Sequence, residues 1–500
     1  MRFGLVSEPI ATERGGGVGD NDTGGLRRHF GLLQAVALNV TMIVGAGVFV
    51  TIPLMLGKLP GPYALLGWLG GGALILLDGL VWSELGATLP GSGGSYLYLL
   101  ECYGRRRWGR LAAFLFIWQF LLSGPLEIAS GLIAMAQFST ALSRGFALFN
   151  EAHTRKVELL AGTGLFVSFS PARMGAVLAG VLILFLLYRR VTTLGRLTVA
   201  FWLGVLAVIA WVLVEGGLRF DPAVAFAPPA ASPAAGGLAY NLGGVMLLAL
   251  YSYFGYYQIC YVGDEVRDPG RTIPRAVVGS AALVCVLFLA LHLAMLGTVP
   301  WREVPLGDDN YSLTADFMRR IHGDWAASVV TVLLMGSCFV SVFAGLLGYS
   351  RIPYGAARYG HFFAPLGRVH PVHHIPHVAL LLVGGLTLLW TFFDLQSVIE
   401  ALIVTRILEQ FVAQIVGVML LRRREPDRAR PYRMALYPLP CLLALAGWLY
   451  LYATANPWYI LLGLATLTAG AVAFVLWSWT TRRWPFAAAG TGLEEKPAAG

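Results

Sequence analysis

The chain has 500 residues, of which 57% are hydrophobic and 13% charged, with a mean hydropathy of +0.68. Soluble domains carry about 25% charged residues, so the composition excludes them and indicates a polytopic membrane protein. The net charge of +9 does not imply nucleic-acid binding, because the basic residues fall in short loops between apolar stretches.

Residues 1–28 are Gly-rich and polar, without the apolar core of a cleavable signal, and read as a disordered cytoplasmic tail. The membrane domain covers 29–484, and 485–500 is a second small, polar tail. About twelve apolar stretches are long enough to count as spans. They cover approximately 32–56, 63–89, 109–142, 174–188, 197–215, 239–262, 274–299, 326–350, 377–393, 397–421, 436–453 and 458–480.

The first stretch contains Val44-Gly45-Ala46-Gly47-Val48-Phe49. Two glycines at mid-membrane depth are poor helix material. A break there is tolerated only where it is buried in protein or lines a cavity. A half-helix starting there would aim free N–H groups and a positive dipole end at an anion. The competing reading is that the glycines only allow close helix packing.

The sixth stretch repeats the pattern. Leu250-Tyr251-Ser252-Tyr253-Phe254-Gly255-Tyr256-Tyr257-Gln258 surrounds a glycine with polar and aromatic residues. The first and sixth spans hold corresponding places in two five-span halves, about 32–215 and 239–421, with further helices at about 436–480. Paired interruptions of this kind point to a transporter binding site.

Orientation follows from the arginines. With both termini cytoplasmic, roughly 26 positive residues lie inside and about 9 outside. Five cysteines (Cys102, Cys260, Cys285, Cys338 and Cys441) lie at wide spacings. No pair has metal-ligand spacing, and they read as free thiols in apolar surroundings. His370, His373, His374 and His377 approach such a spacing, but Pro371 and Pro376 break any helix that would align them, so they read as a loop.

Four segments together resemble bacterial amino acid permeases of the amino acid–polyamine–organocation superfamily. They are Gly45 to Phe49, Leu89-Pro90-Gly91-Ser92-Gly93-Gly94-Ser95-Tyr96, Glu265-Val266-Arg267-Asp268-Pro269-Gly270-Arg271, and Ser350-Arg351 through Phe363 to Pro371. The resemblance implies an all-α fold: a five-plus-five, LeuT-like inverted repeat, helices 1 and 6 unwound, and two C-terminal helices added. It further implies an inner-membrane permease moving amino acids by alternating access. The substrate carboxylate would lie on the backbone of Gly45, Ala46 and Gly47. The ammonium would lie on carbonyls near Ile43 and Val44 and on those of Tyr251, Ser252 and Phe254, beside Gly255. Tyr253, Phe254, Tyr256 and Tyr257 read either as gating and pocket residues or as packing aromatics.

Many relatives carry a fifth-helix lysine that serves ion coupling. Here Val205 takes that place, and the three lysines (Lys58, Lys156, Lys496) lie outside the spans. Candidates for coupling to H+ or Na+ are Glu127, in the third span, and the hydroxyls of Ser337 and Ser341 in the eighth. Glu127 reads alternatively as a structural carboxylate. Arg406 and Glu409, three apart, are expected to neutralise each other. Asp78, Glu84 and Glu400 are expected on polar faces or near the interface, and His292 as a hydrogen-bonded helix histidine.

No cofactor or metal is expected, and no enzyme chemistry, because no nucleophile and base converge at depth. The partners expected are an amino acid and the lipid bilayer; nothing identifies a partner subunit. Neutral amino acids are expected over cationic ones, since Glu127 is the one acid near the pocket. A polyamine or cationic amino acid transporter or exchanger, or a non-transporting sensor, is the alternative.

Overall fold

The computed structural model describes residues 28–159, 165–189, 194–228, 237–305, 312–482 and 484–486, with backbone alone for 194–197. The two tails expected to be disordered lie outside the described residues, apart from Arg28 and the short piece ending at Phe486.

The fold is helical. In order come α1 (Leu32–Ile43), α2 (Gly47–Lys58), α3 (Leu65–Thr88), α4 (Ser95–Cys102), α5 (Trp108–Thr140) and α6 (Arg144–Ala152). A small antiparallel hairpin, β1 (Arg155–Glu158) and β2 (Phe166–Phe169), precedes α7 (Pro171–Tyr188), α8 (Leu194–Leu218), α9 (Pro222–Ala225) and α10 (Gly237–Tyr253). Then follow α11 (Pro269–Leu296), α12 (Leu313–His322), α13 (Asp324–Tyr349), α14 (Arg351–Arg358), α15 (His377–Trp390) and α16 (Leu395–Arg406). The last helices are α17 (Ala413–Arg424), α18 (Leu439–Thr454) and α19 (Pro457–Thr480).

Among the described residues, eight helices are long and apolar enough to cross a membrane, or nine with α1 and α2 taken as one bent span. Helix falls in each of the twelve apolar stretches, although α15 and α18 are shorter and the 239–262 stretch is α-helical only to Tyr253. The protein is therefore a multi-pass membrane protein. Leu178 on α7, Leu203 on α8, Leu381 on α15 and Leu476 on α19 are exposed, as lipid-facing residues should be.

The interior is built around α3, which packs along α10 and α11. Gly67 and Gly72 permit the approach: a Cβ on Gly67 would lie 2.8 Å from the Val245 carbonyl oxygen, and one on Gly72 2.9 Å from Cys285 Sγ. Apolar residues surround α3 on all sides, so its few polar groups are sealed in. Asp78 and Glu84 are each 1% exposed. This corrects their expected place on a polar face: α3 has no such face.

At the end bearing the arginines, Arg422 of α17 grips Glu84 with two hydrogen bonds of 2.7 and 2.5 Å, and the Met434 N–H donates to the same carboxylate at 2.9 Å. The Gly-rich turn after α3 docks on the segment after α10. Ser92 Oγ donates to Asp264 Oδ1 at 2.6 Å. Gly94 has φ +51°, and a Cβ there would meet the Tyr261 ring at 2.8 Å, so only glycine fits. The backbone of Phe30 bonds to both Glu265 and Arg267.

Candidate functional site

α1 stops at Ile43 and α2 starts at Gly47, with their axes bent by 51°. Val44 is extended (ψ 97°), which breaks the hydrogen-bond ladder. The N–H groups of Gly45, Ala46, Gly47 and Val48 consequently have no backbone acceptor among the described residues. These are the orphan donors of a helix start, gathered at the positive end of α2.

α10 stops at Tyr253, and Gly255 follows with φ +110°. A Cβ on Gly255 would lie 3.1 Å from the Met42 carbonyl carbon and 3.2 Å from Ile43 N. The two breaks therefore touch each other. Among the described residues the carbonyls of Ile43, Val44, Ser252, Tyr253 and Phe254 receive no backbone N–H, while that of Tyr251 takes the Phe254 N–H at 3.4 Å. Donors from one break and acceptors from both converge, which suits a zwitterion without burying an ionised side chain against it.

Space at the two glycines differs. A Cβ on Gly47 would lie 3.3 Å from the Tyr251 ring, whereas one on Gly45 would meet nothing within 4 Å. Packing does not demand a glycine at 45. Close helix contact, the alternative reading of the break, fails at that position.

The side chains around the breaks divide by direction. Tyr251 OH shares a 2.7 Å hydrogen bond with Ser130 Oγ of α5, and Ser252 Oγ lies 2.9 Å from Thr51 Oγ1 of α2. Phe254 faces Arg406, whose guanidinium lies 5.7 Å from the ring centre. Tyr253 points the other way. It stacks on Phe288 at 5.7 Å and donates to the Trp68 carbonyl at 3.2 Å, within the α3–α11 core. Tyr256 and Tyr257 are buried on Asp78 and Trp82 respectively. Of the aromatic cluster, Phe254 stands on the side of the site.

Glu127 lies one turn from Ser130 on α5. Its Oε2 is 2.7 Å from Arg406 Nη2, and its Oε1 accepts from Tyr349 OH at 2.7 Å. Arg406 Nε donates to Ser123 Oγ at 3.0 Å. The expected Arg406–Glu409 pair does not form. Residues Ile407–Val412 make a π-helical segment, whose wider turn takes positions three apart off a common face. Glu409 is buried, and its Oε2 has no hydrogen-bond partner among the described residues.

Ser337 is buried and Ser341 exposed on α13, so the two hydroxyls do not share one enclosed position. Val205 is fully buried in α8. His292 accepts a 2.7 Å hydrogen bond from Trp68 Nε1. Lys58 closes α2, and its Nζ lies 3.1 Å from Oε1 of Glu400, a buried residue of α16. Among the described residues no His, Cys, Asp and Glu group could hold a metal ion.

Residues that the sequence did not single out complete the site. Asn39 of α1 donates to the Tyr256 carbonyl at 2.6 Å and accepts from Ile259 N–H at 2.9 Å, spanning the unwound part after α10. Thr51 of α2 and Ser130 of α5 bond Ser252 and Tyr251 at the end of α10, and Tyr349 bonds Glu127 beside them. A polar residue on an otherwise apolar helix was the one available signal.

The family model for amino acid permeases matches residues 30–479, nearly the whole chain. The chain belongs to the amino acid permease family. Its relatives include the human cystine/glutamate transporter, 28% identical over 90% of this chain and 86% of that protein. The serine/threonine exchanger SteT of Bacillus subtilis is 26% identical over 85% of this chain and 90% of its own length. The branched-chain amino acid permease BcaP of the same organism is 22% identical, covering 91% and 93%. These relatives are transporters, and this permease is not an enzyme.

Proposed function

We propose that this permease is a secondary transporter carrying neutral amino acids across the cytoplasmic membrane by alternating access. The observation that carries the reading is the cluster of unpaired N–H groups at 45–48 facing the unpaired carbonyls of both breaks. The substrate carboxylate lies on Gly45, Ala46 and Gly47. Its ammonium lies on the carbonyls of Ile43, Val44, Ser252 and Phe254, with that of Tyr251 at the edge. Phe254 and Tyr251 border its side chain.

Twelve spans in a five-plus-five inverted repeat, with α18 and α19 added and both termini cytoplasmic, agree with the two matching breaks and the arginine distribution. Glu127 is already neutralised by Arg406, so it is not a free carboxylate for a cationic side chain. That favours neutral substrates over cationic ones. A polyamine lacks the carboxylate that the Gly45–Gly47 backbone would receive. Glu127, Ser337 and Ser341 remain candidates for coupling to H+ or Na+, Glu127 only if it leaves Arg406 during the cycle.

The test is uptake and counterflow in proteoliposomes with labelled L-leucine, L-serine, L-glutamate, L-lysine and putrescine. Saturable counterflow of leucine or serine, with little of lysine and putrescine, is expected. Preferred transport of putrescine or lysine would overturn the substrate class, and no flux with retained binding would indicate a sensor.

A further inference from the structure

Asp78 is the one carboxylate of α3 without a cationic partner. Tyr256 OH donates to its Oδ2, and Trp448 Nε1 of α18 donates to its Oδ1 at 3.2 Å. The side chain is 1% exposed. Each helix around it supplies neutral groups. The segment after α10 presents Tyr256 and Tyr257, the latter stacked 4.3 Å over Trp82. α18 presents Trp448. α11 places Val277 against Gly79, and α1 reaches the group only through Asn39 and Tyr256. Among the described residues, no Lys, Arg or His pairs with Asp78. Glu84, further along α3, has already taken Arg422, with Arg430 at 4.0 Å.

Tyr256 makes this group part of the moving element. Its hydroxyl is on Asp78 while its carbonyl is on Asn39 of α1, and Asn39 holds Ile259 N–H and Ser280 Oγ at 2.9 and 3.1 Å. The carboxyl group is thus tied to both unwound helices without touching the substrate backbone site. On its other side Trp448 stacks at 3.9 Å on Phe411 of the π-helical segment, and Phe411 lies 5.8 Å from Phe254.

We propose that Asp78 is a proton-binding site, and that its occupancy is read by the substrate site through Tyr256. This rests on the transport reading above and supplies the coupling ion which that reading leaves open. A charge on Asp78 has no counter-charge to offset its removal from water. A proton taken up from one side neutralises it, changes what Tyr256 and Trp448 can bond to, and leaves on the other side when the helices have rearranged. An ion that binds both states equally would move nothing. The differential contact here is the Tyr256 hydroxyl, held in this state and free to part when the unwound segment shifts.

The test uses the full-length protein in liposomes containing a pH-sensitive dye, with labelled L-leucine and L-serine as probes. An inward gradient of about one pH unit can sustain up to about tenfold accumulation at one proton per substrate. Wild type should accumulate substrate under that gradient and acidify the lumen as it does so. Asp78→Asn should lose both responses and keep counterflow, which needs no net proton movement, and Asp78→Glu should restore part of the gradient response. Glu127→Gln and Glu409→Gln provide the comparison. The proposal is overturned if wild type shows counterflow without lumenal acidification, if Asp78→Asn keeps the gradient response, or if only a glutamate variant loses it. Absence of counterflow in wild type would instead defeat the transport reading.

Discussion

Arg406 Nη2 lies 2.7 Å from Glu127 Oε2, joining α16 to α5. The same guanidinium sits 5.7 Å from the rings of Phe120 and Phe254. Arg406 is 3% exposed, so its charge depends on this one carboxylate. Removing the half-buried Glu127 leaves the buried Arg406 charge uncompensated, at a cost of up to about 3–5 kcal/mol, and removing Arg406 costs less. Glu127→Gln and Arg406→Met should each lower thermal stability in detergent, and the double variant should recover much of the loss. Additive losses would mean that the two residues act separately.

Tyr253 and Phe254 are adjacent but should respond differently. Tyr253→Ala empties a fully buried position between Trp68 and Phe288. It should cost about 3–5 kcal/mol of stability while leaving the order of substrate preference unchanged. Phe254→Ala should alter that order. Competition of unlabelled amino acids against labelled leucine, alongside melting curves, separates the two.

Asn39 satisfies two backbone groups of the unwound segment with one amide. Asn39→Ala orphans the Tyr256 carbonyl and the Ile259 N–H, each costing about 1–3 kcal/mol when buried. Asn39→Asp keeps the acceptor for Ile259 and loses the donor for Tyr256. Both variants should therefore melt below wild type, Asn39→Asp at least as far as Asn39→Ala because it buries a carboxylate against the Tyr256 carbonyl, read by thermal unfolding. Equal stability of all three would show that the clamp carries no energy.

Lys58 and Glu400 link α2 to α16, with Gln396 Nε2 donating to the same Glu400 oxygen at 2.9 Å. Lys58→Glu or Glu400→Lys alone should depress counterflow, and the exchanged pair should restore it. No recovery in the double variant would show that the contact is incidental.

The permease family and the two breaks were legible because glycine runs at membrane depth, Gly45 to Gly47 and Gly255, have few physical uses. Directions around the breaks were not. Tyr253 and Phe254 are neighbours in sequence, and only the end of α10 at Tyr253 decides which one faces the core. The Arg406–Glu409 expectation assumed α-helical spacing, and the π-helical turn at Ile407–Val412 removes it. Arg406 found Glu127 of α5 instead, a partner distant in sequence that no local pattern announces. A polar residue suggests a polar face for Asp78 and Glu84, but α3 buries both carboxylates in the protein. Asn39 was passed over for the complementary reason, since its value lies wholly in backbone groups that exist only once α10 has unwound.

If the Gly45–Gly47 backbone holds the substrate carboxylate, Gly45→Ala is the variant that shows it. A Cβ at that position meets no protein atom within 4 Å, so stability should not change. In the cradle it would meet the substrate, and apparent affinity in leucine or serine counterflow should fall about tenfold, or about 1.4 kcal/mol. Gly47→Leu, which drives a larger side chain towards Tyr251, should abolish flux while membrane insertion is preserved. Unaltered melting with weakened substrate affinity in Gly45→Ala is the expected result. Unaltered affinity would contradict the account, because the space beside Gly45 would then not be where the substrate lies.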